Sequence, residues 1–186
     1  MTRIPLKTDA EVDDATRALF EGMVQRGSKV PDLYRLLANA PELLQAWTDL
    51  AWPLRNLGFA GRDLRELLIM RTAQLTGAKY EWAHHWSMAV AAGVSTEKLH
   101  ALSDWRASEQ FSETERAVLG FADEMIRDGH PSSAAFAPVR ALFDDSAVIH
   151  IALTVAFYVC VARFAGALEL DLEPGYDDVP PLPAVR

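Results

Sequence analysis

Apolar residues recur along this chain at intervals of three and four, the period of a helix face, and almost nowhere at the alternate positions of a half-buried strand. Thr8 with Glu11 reads as a capping box opening an amphipathic stretch to about Gln25, where Leu19, Phe20, Met23 and Val24 share a face before "RGSKVP" ends it. A second stretch begins near Pro31. Asn39 followed by Pro41 marks a fresh start towards "ELLQAWTDLAWPLRNLG", which Pro53 is expected to kink or divide. The run "RDLRELLIMRTAQLT", Arg62 to about Thr76, closes on Gly77, and the next helix, from about Lys79 to Ala92, stops at Gly93. Ser95 caps a short helix to Leu102, and Ser112 with Glu115 forms a second capping box ahead of "RAVLGFADEMIRDG". After the breaker Asp128-Gly129-His130-Pro131, a helix is expected over roughly Ser133 to Phe143, then a long apolar one from Ala147 to Leu170. The tail "EPGYDDVPPLPAVR" is proline-rich and expected to be extended. The pattern predicts an all-α fold of seven to nine helices, with residues 1–186 forming one domain.

Charge and composition narrow the partners. With 18 Lys plus Arg against 26 Asp plus Glu, the net charge of −8 provides no field for nucleic acid or anionic lipid. The lone cysteine, Cys160, allows neither an internal disulfide nor a CxxC pair, and the N-terminus carries no export-signal pattern, so a cytoplasmic protein is expected. In "VIHIALTVAFYVCVARFAGAL", His150 and Arg163 leave only the twelve residues 151–162 free of charge or imidazole. That is short for a bilayer span and suits a helix buried in protein. Cys160, deep in this apolar run, is expected to be a poor thiolate.

The candidate chemistry concentrates in "GAKYEWAHHW", Gly77 to Trp86. Side chains four apart on a helix point the same way, so Glu81 shares a stripe with His85, Tyr80 with His84, and Trp82 with Trp86. The tryptophan stripe continues to Ala89 and Gly93 and reads as core. A carboxylate beside an imidazole at this spacing can tune a general acid or base, and a surface i,i+4 pair is the competing reading. No metal site is expected, because the adjacent His84 and His85 point about 100° apart, whereas helical two-histidine sites want an i,i+4 pair. Glu66 stands at the edge of an apolar block with Arg62 one turn earlier as its ordinary salt-bridge partner. His150 and Arg163, which interrupt the last helix, either reach partners or line a cavity.

The segment "RELLIMRTAQLTGAKYEWAHHWSMAVAAGVSTEKLHAL", Arg65 to Leu102, resembles the carboxymuconolactone decarboxylase family, the all-helical group that includes the AhpD-like alkylhydroperoxidases. The likeness is carried by Glu66, Thr76-Gly77-Ala78, Tyr80-Glu81-Trp82, His85 and Gly93-Val94-Ser95. The last helix adds Tyr158 and Ala162-Arg163-Phe164. The resemblance implies an AhpD-like fold in which Glu66, Glu81 and His85 converge on one pocket. In the peroxidase branch of the family a CxxC motif supplies the nucleophile. Counted back from His85, those two positions hold Ala78 and Glu81 here, which argues against thiol peroxidase activity.

The resemblance therefore implies a cofactor-independent lyase or isomerase acting on a small organic acid or lactone. His85 is expected as proton shuttle, with Glu81 or Glu66 as its partner; Tyr80, His84, His150 and Arg163 are expected as pocket lining or substrate anchors. It implies a homo-oligomer too, a trimer or a hexamer, for which the apolar last helix is interface material. A non-catalytic ligand-binding or assembly protein on the same fold is the alternative.

Overall fold

The computed structural model describes residues 2–57 and 61–184. Within them lie nine α-helices and no strand: α1 (Asp14–Gln25), α2 (Asp32–Leu37), α3 (Pro41–Asn56), α4 (Arg62–Thr76), α5 (Lys79–Ala91), α6 (Thr96–Ala101), α7 (Glu113–Arg127), α8 (Ser133–Leu142) and α9 (Asp145–Ala167). A short 3-10 turn, Leu102–Asp104, extends α6. The all-α expectation holds, and most predicted boundaries hold within a few residues.

Two expectations are corrected. Glu11 does accept hydrogen bonds from the Thr8 amide and hydroxyl, at 2.9 and 2.7 Å, but the pair closes an isolated turn. The helix itself starts at Asp14, where the Asp13 side chain caps the Thr16 amide. Nor does Pro53 divide its segment, because α3 runs continuously through it. Gly58, where that segment was expected to end, lies outside the described residues.

α4 organises the molecule. Every residue from Leu64 to Gln74 is buried, so this helix is covered on all sides by α5, α7 and α9. Leu67 and Leu68 are wholly inaccessible, each contributing about 1.5–3 kcal/mol by removal from water. Complete burial obliges the polar residues of α4 to find partners. Arg71 makes a two-pronged contact with Asp123 of α7, at 2.6 and 2.8 Å, and the Thr72 hydroxyl donates back to the Leu68 carbonyl at 2.8 Å.

One apolar core joins α4 to α5, α7, α8 and the N-terminal half of α9, with Trp82, Trp86 and Ala89 inside it as the stripe predicts. A second core gathers α1, α2 and α3 against the C-terminal half of α9, with Ile69 and Tyr80 at the seam. Gly77 makes the turn between α4 and α5 at φ +70°, a left-handed conformation that glycine adopts without strain.

α9 is the one described helix long and apolar enough, at 23 residues, to cross a bilayer. Its Ile151, Val155, Tyr158 and Val161 face lies inside the two cores, as in a central packing helix. Cys160 is not deep: the helix phase places it on the exposed side with Ile149 and Leu153.

The tail after α9 does more than extend. The Pro180 carbonyl accepts the Trp82 indole N–H at 2.8 Å, and Glu173 and Tyr176 reach α5, so the tail straps the helix that carries the histidines.

Candidate active site

Glu66 projects from α4 towards α5, where its Oε2 lies 2.8 Å from Nδ1 of His85. Its other oxygen is 3.5 Å from the Arg62 guanidinium, the partner expected from the i,i+4 spacing. Glu66 and His85 are both buried, 3% and 5% exposed. Burial pushes the His85 imidazole below its ordinary value and outweighs the opposing pull of Glu66. Burial alone would raise Glu66, but the hydrogen bond from His85 and the charge of Arg62 hold it below the usual carboxylate range. The stable arrangement is an ionised Glu66 accepting the Nδ1–H of a neutral imidazole. That tautomer leaves Nε2 with its lone pair, and no described hydrogen bond engages it. Tyr158 fixes the ring from one side, edge-on with centroids 5.0 Å apart.

His85 is part of the wall of a cavity of about 430 Å³, bordered by α1 and the segment after it, α2, α3, α5 and α9, whereas Glu66 stands behind it. The volume falls in the range of ~300–1,000 Å³ usual for small-molecule sites. Glu81, one turn before His85, faces the same cavity. It is 3% exposed, and neither carboxyl oxygen meets a hydrogen-bond partner elsewhere among the described residues. Its place in the first turn of α5 favours the ionised form, but burial prevails and raises its pKa. The cavity wall therefore carries an imidazole shifted towards its neutral form and a carboxyl made a weaker acid by burial.

Tyr80 and His84 reach the same cavity but are tied to the tail. Glu173 accepts from the Tyr80 hydroxyl at 2.8 Å and from the Asp32 amide at 2.6 Å, and lies 2.7 Å from His84 Nε2. The Tyr176 hydroxyl meets His84 Nδ1 at 2.9 Å, and the Tyr80 and His84 rings stack at 4.3 Å. Burial would raise Glu173, yet these donors bring it down to about 2. Tyr80 and His84 are thus held as a scaffold for the wall.

The structure does not bring His150 and Arg163 to this cavity. His150 sits half-buried near the start of α9, and Arg163 is exposed on that helix. Arg163 instead borders an outer groove with Lys79, Glu81 and Gly166. Cys160 does not line the cavity either. No group of three or more His, Cys, Asp or Glu residues among the described residues is placed to hold a metal ion.

Arg55, Tyr34 and Tyr158 complete the wall. Arg55 donates from Nε to the Tyr158 hydroxyl at 3.3 Å and from Nη1 to the Tyr34 hydroxyl at 3.2 Å. Sequence reading passed over Arg55 and Tyr34. Arg55 follows Pro53 in a segment expected to be kinked or divided, and Tyr34 is submerged in the apolar run "DLYRLL". The one available signal was a charged residue following the apolar "LAWPL" on a helix face.

Comparison with known proteins bears on the fold and on the family of its middle segment. Residues 41–124, which include Arg55, Glu66, Glu81 and His85, match the carboxymuconolactone decarboxylase family. No curated protein matches the chain by sequence. Its fold is similar to an uncharacterized peroxidase-related protein from Silicibacter sp. TM1040 (TM-score 0.83, 20% identity, 95% of this chain and 94% of the other). It is also similar to a peroxidase-related protein with an alkylhydroperoxidase AhpD core from Ralstonia eutropha JMP134 (TM-score 0.81, 20% identity, 94% of each chain). A third similar structure is the debrominase Bmp8 in complex with 2,3,4-tribromopyrrole (TM-score 0.77, 23% identity, 93% of this chain and 91% of the other). Residues 41–124 of this chain thus match the carboxymuconolactone decarboxylase family model, and the whole is carried on an all-helical fold similar to that of the AhpD-like structures.

Proposed function

We propose that the protein is a cofactor-independent acid–base enzyme, a lyase or isomerase acting on a small organic acid or lactone. The observation that carries this reading is the pairing of two unlike proton carriers on one cavity wall: His85, oriented by Glu66 at 2.8 Å, and the buried, unpartnered Glu81. In an isomerisation, His85 Nε2 takes a proton from a carbon next to a carbonyl. The Glu81 O–H stabilises the developing oxyanion, and the imidazolium returns the proton to a second carbon. In a decarboxylation, the C–C bond electrons pass into an enolate as carbon dioxide leaves, and Glu81 delivers the proton that quenches the carbanion. Glu81 also borders the outer groove beside Lys79, which supports that groove as its route for reprotonation. Glu66 does not touch the substrate; it fixes the histidine tautomer.

The family match supports catalysis without selecting a reaction. The debrominase of this fold holds a small halogenated ring, which supports a ring-sized ligand. A second copy of the chain is the proposed partner, through the exposed side of α9. Ile149, Leu153, Ala156 and Cys160 recur there at the alternating spacing that packs against a like helix, ahead of Arg163 on the same face, and the family resemblance to trimers or hexamers supports it.

The test is incubation with a panel of small carboxylic acids and lactones, read by mass spectrometry. Conversion by the native chain is expected, with His85→Ala and Glu66→Gln each slower by about a hundredfold or more. A panel that stabilises the protein against heat without being consumed would instead mark a binding protein.

A further inference from the structure

The side chains that line the cavity of His85 and Glu81 include more cations than carboxylates, in a protein whose net charge is −8. Three of its lining side chains are cationic, Arg26, Lys29 and Arg55, and its sole lining carboxyl is Glu81, which burial biases towards the neutral acid. Arg26 and Lys29 are exposed at the rim, beside the exposed Trp52, and Arg55 lies farther in. The two groups that Arg55 contacts are phenols. Burial raises the Tyr158 pKa, so that phenol is no counter-anion, and no carboxylate among the described residues stands within ion-pair distance of Arg55. Arg71, by contrast, is neutralised by Asp123 at 2.6 Å.

A guanidinium drawn into a protein without a counter-anion is costly, and proteins retain one where an anion is to be met. Tyr34 and Tyr158 occupy two of its N–H groups and hold the fork in place, leaving the others for a ligand. The surrounding wall is Leu33, Trp52, Met88 and Val161, which suits an apolar or aromatic body.

We propose that Arg55, oriented by Tyr34 and Tyr158, is the carboxylate anchor of this cavity, and that its ligand is a compact ring acid carrying one carboxylate. The acid enters past Arg26 and Lys29, seats its carboxylate on Arg55 and lays its ring towards His85 and Glu81. Arg55 takes the role that the sequence offered to His150 and Arg163. The proposal rests on the acid–base reading only for what happens to the ligand once it is bound.

The experiment is calorimetric titration of the full chain with benzoate and with its uncharged analogue benzamide, at low and high salt. Benzoate is expected to bind at least about tenfold more tightly than benzamide, and Arg55→Met to lose about tenfold or more of that affinity, with Arg55→Lys between. Replacing the rim cations together, Arg26→Gln with Lys29→Gln, should weaken binding less and flatten its salt dependence. Should Arg55→Met fail to fold by circular dichroism, the rim variant and the salt dependence decide. Equal binding of the two probes, no benzoate binding, or full affinity in a folded Arg55→Met variant overturns the anchor. His85→Gln separates the two proposals. Benzoate binding with no turnover on any acid defeats the acid–base reading and leaves the anchor standing, whereas turnover of uncharged lactones with no carboxylate binding does the reverse.

Discussion

Glu81 and His85 stand one turn apart on α5 and line the same cavity, yet only His85 has a protein partner. Its Nδ1 lies 2.8 Å from Glu66, whereas both Glu81 oxygens are buried without one. Burial dominates both groups and acts on them in opposite senses, lowering the imidazole and raising the carboxyl. The two shifts set an imidazole favoured in its neutral form beside a carboxyl made a weaker acid, the kind of pair that proton transfer at carbon uses.

The first prediction is a bell-shaped pH dependence of kcat/KM. The acid limb reflects protonation of His85 and falls below the ordinary histidine value of 6.5, while the alkaline limb reflects ionisation of Glu81 and falls above the ordinary carboxyl value of 4.5. Glu81→Gln should lower turnover and remove the alkaline limb alone. An unchanged alkaline limb in that variant would take Glu81 out of the reaction.

Glu173 should make the tail's attachment sensitive to acid. Its folded pKa of about 2 lies below the ordinary 4.5, so its contribution to stability is complete above about pH 4.5 and is lost as pH falls towards 2. In urea titrations across that window, Glu173→Gln should show a shallower loss of stability than the native chain and a lower stability at neutral pH. Parallel curves would mean that Glu173 does not carry the strap.

The Arg71–Asp123 pair should behave as a buried ion pair whose halves cannot be separated. Asp123 also receives the Trp105 indole at 3.2 Å and Arg106 at 2.6 Å. Asp123→Asn is expected to cost about 3–5 kcal/mol in denaturant unfolding, because it leaves Arg71 charged and buried. A loss below about 1 kcal/mol would contradict this.

The exposed stripe of α9 predicts self-association. Native chain is expected at the mass of a trimer or hexamer by light scattering, and Leu153→Glu at a lower one, since a charge on the 40%-exposed Leu153 is harmless in a single chain and costly in a packed face. A native chain at the mass of one copy would contradict it.

Much of this architecture was legible in the order of residues, for local reasons. Ser112 and Glu115 form their capping box, Gly77 ends α4 in the left-handed region, and the Trp82–Trp86 stripe is core, because each depends on neighbours within a turn or two. Thr8 with Glu11 misled because that contact stabilises a turn as readily as a helix start. The meeting of Glu66 with His85, nineteen residues apart, came from family resemblance, since periodicity places each on its own helix but cannot say which faces meet. Arg55 was missed for the same reason: its partners Tyr34 and Tyr158 lie 21 and 103 residues away. His150 and Arg163 do not line the cavity of His85, although Arg163 borders the outer groove with Tyr80 and Glu81. Polarity in an apolar helix suggests a cavity, but on α9 the helix phase carries Arg163 outward.

The central claim is the protonation state of the dyad: a neutral His85 that donates Nδ1–H to Glu66 and presents the Nε2 lone pair to the cavity. Long-range proton–nitrogen correlation NMR on imidazole-labelled protein at neutral pH measures this directly. The account predicts a protonated Nδ1 and an unprotonated Nε2 for His85, with the Nδ1 proton lost as a distinct hydrogen-bonded signal in Glu66→Gln. A doubly protonated ring, or a proton on Nε2 alone, would contradict it.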